Sequence, residues 1–161
     1  MVLQRVLRAA VAVDGREVAR IGVGYLLLVG VEEGDDLAVA HRMADKVAAL
    51  RLFPGGEGRG FDRSLVDCGG EVLVVSQFTL MGDVRRGNRP SWATAARPER
   101  AEPLVDDVAA RLAEHGIGVA TGVFGATMEV SLVNDGPVTL VLDSGSLGAS
   151  RNASGEARGA S

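Results

Sequence analysis

The sequence predicts a single-domain mixed α/β fold. It is a barrel-like β-layer with two helices on one face, in the order β-β-β-α-β-α-β-β-β. Three observations carry this. Strand-length apolar runs outnumber helical patterns, and hairpin signals dominate both ends. Two segments place apolar residues at helical spacing. A length of 161 residues fits one domain, which can bury a core without disulfide or metal staples.

Residues 2–13 alternate loosely, and Asp14-Gly15 is a hairpin turn signal, so 16–22 reads as the returning strand. Residues 25–31 read as a buried strand. Asp35-Asp36 then offers a helix N-cap. Leu37, Ala40, Ala44, Val47, Ala48 and Leu50 follow at helical spacing, and the helix should end before Pro54. Residues 55–60 are a glycine-rich loop, and 71–78 (EVLVVSQF) is a hydrophobic, central strand. Residues 82–98 form a long basic loop. A second helix starts at Pro98 or Glu99, shows Leu104, Val105, Val108 and Leu112 on one face, and closes at His115-Gly116. Three strands follow at roughly 117–122, 127–134 and 137–143. Residues 145–161 hold almost no apolar bulk and read as a disordered tail, which leaves 1–144 as the domain.

Composition removes several function classes. The chain is 47% hydrophobic and 24% charged, which excludes a disordered or fibrous protein. No apolar run is long enough to cross a membrane, and the N-terminal residues, with Arg5 and Arg8, lack the apolar core of a secretory signal. The single Cys68 cannot form an internal disulfide. Together these predict a cytoplasmic protein. A net charge of −4 argues against general nucleic-acid binding and leaves polyanion docking to a local basic patch. The lack of GxGxxG after a strand argues against a dinucleotide fold, and the glycine loop has no GK[ST].

The usual catalytic sets are also missing. His41 and His115 each sit in or at the end of a helix pattern and read as structural or surface residues. Neither HExxH nor paired Cys/His spacing occurs, so no metal site and no cofactor is expected. Cys68 lies beside Asp67, and an acidic neighbour makes a thiol less reactive. There is no GxSxG elbow.

Three places stand out. Ser76-Gln77-Phe78-Thr79-Leu80 follows the central strand directly. It is either a capped strand end or a binding lip whose backbone N–H groups leave the ladder and face a ligand. Asn134-Asp135-Gly136-Pro137-Val138-Thr139 is a turn signal, and a plain hairpin is the simpler reading by spacing. Gly-Pro bonds can also be cis, which spacing does not decide. Arg85, Arg86, Arg89 and Arg97 interleave with Trp92, which describes either a solvated loop or a phosphate- and base-binding segment.

Taken together, the places match one family. Ser76–Leu80 resembles the SQxxL motif, and Asn134–Thr139 the NxGPxT motif, of the D-aminoacyl-tRNA deacylases. The likeness runs colinearly from about residue 1 to 144, through Leu3-Gln4-Arg5-Val6, the stretch 69–75, Gly87-Asn88-Arg89-Pro90-Ser91 and Phe124-Gly125-Ala126-Thr127-Met128. Each pentapeptide is weak alone, and the ordered set is specific. The resemblance implies a carboxylic ester hydrolase that frees tRNA from a D-amino acid, or from glycine mischarged on tRNA-Ala, as translation quality control.

It also implies a homodimer in which the Gly136-Pro137 motif, with a cis bond, enters the partner's active site. There it would reject L side chains by clash. Ser76, Gln77, Phe78 and Thr79 would line the catalytic pocket. Arg5 and Asn134 would belong with Gly136 and Pro137, Arg5 fixing their orientation. Phe124 and Met128 would form the adenine pocket, and Arg85, Arg86 and Arg89 would meet tRNA phosphates. Thr79 is the obvious nucleophile, yet no His or Lys lies near it in a recognisable motif. A backbone oxyanion hole at Phe78 and Thr79, with the substrate's 2′-OH orienting water, is the favoured mechanism. Departures from the family pattern include Leu7 and Ala10 in the first strand and Asp62-Arg63-Ser64 before the central one. The alternatives are a paralogous L-alanyl-tRNA deacylase, a non-catalytic RNA-end-binding dimer, and a generic esterase, which the missing base and elbow oppose.

Overall fold

A computed structural model describes residues 1–56 and 60–147. The chain begins with β1 (Val2–Val13), β2 (Arg16–Ile21) and β3 (Gly24–Val29). Helix α1 (Leu37–Ala49) follows, then β4 (Arg51–Phe53), β5 (Arg63–Ser64) and α2 (Leu65–Cys68). Next come β6 (Glu71–Ser76), a 3-10 turn (Phe78–Met81), α3 (Pro98–Glu114), β7 (Gly118–Thr121), β8 (Glu129–Val141) and α4 (Ser144–Leu147).

Strand β1 organises the sheet. One of its edges pairs antiparallel with β3 at Val2–Val6 and with β2 at Ala9–Val13, while the other carries β8 along nearly its whole length. Strand β6 adds parallel to β3, and β7 parallel to β6, so the sheet curls into a nearly closed barrel. Asp14 and Gly15 both have positive φ (51° and 73°), as a two-residue hairpin turn with the twist of its strands requires. Gly24 is fixed by packing: a Cβ there would lie 1.8 Å from the Glu71 carbonyl oxygen.

Strand alternation splits the core in two. Val6, Val11, Leu26, Leu73 and Val75 turn into the barrel. Leu3, Tyr25, Leu27, Val72 and Val74 turn outward to meet α1 and α3. Each fully buried Leu or Val contributes about 1.5–3 kcal/mol relative to exposure. Asp36 caps α1, its Oδ1 accepting from the Val39 N–H at 2.9 Å. Pro98 starts α3, where its missing N–H costs nothing. The two helices are tied by Asp45, which accepts from Arg111 Nε and meets His115 Nε2, both at 2.7 Å. These bonds hold the Asp45 carboxyl down to about 2.

Four expectations change. The strands expected at 127–134 and 137–143 are a single strand, β8, because both halves pair with β1. Among the described residues there are four α-helices instead of two, α2 and α4 being single turns. The glycine-rich loop is flanked by the small β4–β5 ribbon, and residues 57–59 within it lie outside the described residues. Residues 145–147, expected in the tail, belong to α4, and 148–161 lie outside the described residues. Among the described residues no helix is long and apolar enough to cross a membrane.

Candidate active site

The end of β6 is built to stay open. Its ladder with β3 continues one residue beyond the strand, the Gln77 N–H donating to Val29 O at 2.8 Å, and the chain then winds into the 3-10 turn. The first bond of that turn is Leu80 N–H to Gln77 O, at 3.2 Å. In 3-10 geometry the N–H groups of Phe78 and Thr79 therefore have no carbonyl behind them, and the Gln77 side chain does not cap them. That side chain instead donates from Nε2 to Thr79 Oγ1.

Ser76, Gln77 and Phe78 form the floor of a cavity of about 610 Å³. One wall carries Phe124 and Met128, from the connection between β7 and β8. Another part of the wall carries Trp92, Ala96 and Arg97, ahead of α3. Phe124 rests on the helix-side core and Met128 on the barrel core, so each is held by a different layer. Gly122 admits Met128, whose sulfur lies 2.7 Å from where a Cβ would be. Phe78 meets Trp92 edge to face, with ring centroids 5.7 Å apart. Neither histidine lines this cavity. Among the described residues no group of three or more His, Cys, Asp or Glu side chains could hold a metal ion.

The second motif is locked. Val6 pairs with Asn134 and Gln4 with Thr139, so β8 uses five steps where β1 uses two, and the surplus bulges outward around Gly136-Pro137. The Gly136-Pro137 bond is cis, and Gly136 has φ +119°. Asn134 Nδ2 bonds Arg5 O at 2.9 Å and Val138 O at 3.0 Å, closing the neck of the bulge. Arg5 is only 8% exposed. Its Nε lies 2.9 Å from Asp135 Oδ2, an ionic contact without hydrogen-bond alignment, and its Nη1 donates to Leu52 O. Its guanidinium lies over the rings of both Phe53 and Phe61, each ring centroid 5.9 Å away. Phe53 in turn stacks on Tyr25 at 5.2 Å, which ties the clamp to the main core.

The structure thus gathers the expected residues into two groups. Ser76, Gln77, Phe78, Phe124 and Met128 share one cavity, with Thr79 attached through Gln77. Arg5, Asn134, Gly136 and Pro137 form the other group, and none of them lines that cavity. Arg85, Arg86 and Arg89 do not line it either. Arg85 is held by Asp83 at 2.7 Å and faces a separate cavity of about 510 Å³, while Arg86 and Arg89 are exposed. Sequence reasoning missed the roles of Asp135, Leu52, Phe53, Phe61 and Gly122. The acidic residue within the second motif was the one usable signal, as a partner for a nearby arginine.

Comparison with known proteins places the chain in a family. A family model described as D-Tyr-tRNA(Tyr) deacylase matches residues 2–143. The chain is 58% identical over 147 residues to a D-aminoacyl-tRNA deacylase of Thermomicrobium roseum, covering 91% of this chain and 95% of that protein. It is 56% identical over 143 residues to one of Desulfitobacterium hafniense, covering 89% and 95%. Among solved structures, a "c-Myc DNA Unwinding Element Binding Protein" superposes with TM-score 0.82 at 36% identity, covering 88% of this chain and 96% of that one. A probable eukaryotic D-amino acid tRNA deacylase shares the fold at TM-score 0.75 and 16% identity, over 86% of this chain and 95% of the other. The chain belongs to the D-Tyr-tRNA(Tyr) deacylase family.

Proposed function

We propose that this chain hydrolyses the ester between a D-amino acid and the 3′-terminal adenosine of tRNA, and accepts glycine mischarged on tRNA-Ala. The observation that carries the reading is the cavity floor. Two backbone N–H donors without carbonyl partners lie beside a cavity whose Phe124–Met128 wall suits a purine. Water attacks the ester carbonyl carbon, and negative charge builds on the carbonyl oxygen. The N–H groups of Phe78 and Thr79 receive that charge. The bond to the ribose 3′ oxygen then breaks, giving the free amino acid and a tRNA 3′-hydroxyl. The neighbouring 2′-OH orients the water. The Thr79 hydroxyl already accepts a bond from Gln77, and no His or Lys lines the cavity to activate it, which supports a structural role for this side chain.

Gly136 and Pro137 act as the filter. Their carbonyl oxygens occupy the space an L side chain would need, so rejection comes from clash, and glycine passes. The filter serves the partner's cavity in a homodimer. The absence of both residues from their own chain's cavity lining supports this, as do the exposed apolar side chains Leu7 and Val141 on paired strands. Arg86 and Arg89, with Arg85 contributing less, meet acceptor-stem phosphates.

The test is deacylation of matched D-Tyr-tRNA and L-Tyr-tRNA by the purified protein. The reading expects rapid loss of the D-ester with the L-ester spared. Equal rates would remove the filter. No loss of either would leave an RNA-end-binding module or an L-alanyl-tRNA deacylase.

A further inference from the structure

Among the described residues, Arg97 is the only charged one on the wall of the 610 Å³ cavity. It makes no ion pair with any described carboxylate, and its side chain does not cap α3. An unpaired arginine on an otherwise uncharged wall is suited to an anion. The reacting end of an aminoacyl ester offers none: its amino group is cationic and its ester neutral. The nearest anion on an RNA 3′ end is the phosphodiester on the 5′ side of the terminal adenosine. Trp92 shares the wall with Arg97 and is 40% exposed, leaving ring surface free beyond its contact with Phe78.

We propose that this wall is a second nucleotide subsite: Arg97 binds the phosphodiester preceding the terminal adenosine, and Trp92 stacks the base of the preceding nucleotide. The inference rests on the ester-hydrolase reading above. The cavity then has a direction. The base of the terminal adenosine goes to Phe124 and Met128, its ester to the floor, and the rest of the RNA leaves past α3. Arg97 sets how deep the 3′ end sits, in contrast to Arg86 and Arg89, which lie outside the cavity.

The experiment compares D-tyrosyl esters of adenosine, of adenosine 5′-phosphate and of the dinucleotide CpA. Wild type should gain in kcat/KM at each addition. Arg97→Gln should lose about tenfold on the two phosphate-bearing esters and nothing on the adenosine ester. Trp92→Ala should lose the gain that cytidine provides, on top of a loss equal on all three esters from its missing contact with Phe78. Calorimetry with adenosine and adenosine 5′-phosphate reads the same site without chemistry: wild type should favour the phosphate form, and Arg97→Gln should not. An Arg97→Gln effect equal on all three esters, or an unchanged preference for adenosine 5′-phosphate, overturns the proposal. Failure to hydrolyse any ester while the Arg97-dependent phosphate preference persists would overturn the hydrolase reading and leave the subsite standing.

Discussion

The strand end at Ser76–Thr79 and the bulge at Asn134–Val138 both interrupt a β-ladder, and they are finished in opposite ways. The first leaves two N–H groups without carbonyls, and its Phe78 is 58% exposed. The second has its neck closed by two bonds from Asn134 and its flank clamped by an arginine that is 8% exposed. An element that must receive charge from a substrate needs donors free in the resting protein. An element that discriminates by clash needs carbonyls that do not yield, since a soft obstacle would move aside at little cost. In the proposed function, reactivity therefore belongs to the first motif and selectivity to the second.

Substitutions can break this division. The largest effect should come from comparing Phe78→Pro with Phe78→Ala. Proline suits the first position of the 3-10 turn but removes one N–H. The proline variant should be slower than the alanine variant by about 100- to 1,000-fold in kcat, the value of one oxyanion donor. Thermal unfolding should barely separate the two.

Arg5→Ala should behave in the reverse manner. It breaks the contact with Asp135 and the bond to Leu52 O, costing about 3 kcal/mol of stability by denaturant melt. The variant should also begin to hydrolyse L-Tyr-tRNA, because the bulge loses its clamp. Unchanged L-rejection in a destabilised protein would separate the clamp from selectivity.

Thr79→Ala should lower kcat less than about tenfold, since it costs one hydrogen bond from Gln77 and leaves the Thr79 N–H in place. Abolished turnover with intact binding would make the hydroxyl a nucleophile. The smallest change should be in salt dependence. Arg86→Gln and Arg89→Gln should each flatten the slope of log affinity for tRNA against log salt by about 0.9. Arg85→Gln should flatten it less, because Asp83 already neutralises Arg85.

Much of this was legible in the chain. Asp14-Gly15, Asp36 and Pro98 acted where local chemistry placed them, since turns and caps depend on a few adjacent residues. Spacing alone favours a hairpin at the second motif, because Asn-Asp-Gly-Pro is locally a turn. Its continuity depends on β1, more than 120 positions away, pairing with both of its arms. The contacts of Arg5 with Asp135, Phe53 and Phe61 are non-local in the same sense. Strands β4 and β5 are three and two residues long, too short for any periodicity to register. Gly122 shows its purpose only once Met128 lies against it.

The most direct test of the division between the motifs is a mixed dimer. A chain carrying Gly136→Ala has an intact floor, but the new Cβ would sit 2.8 Å from Val138 Cγ2 and 3.1 Å from Arg5 Nη2, displacing the filter. A chain carrying Phe78→Pro has an intact filter and a disabled floor. Co-refolding the first with an excess of the second should suppress hydrolysis of L-Tyr-tRNA while D-Tyr-tRNA hydrolysis persists, since each working floor then faces a sound filter. L-ester hydrolysis that stays constant across the titration would contradict the account, placing the filter in the same chain as the floor it serves, or nowhere.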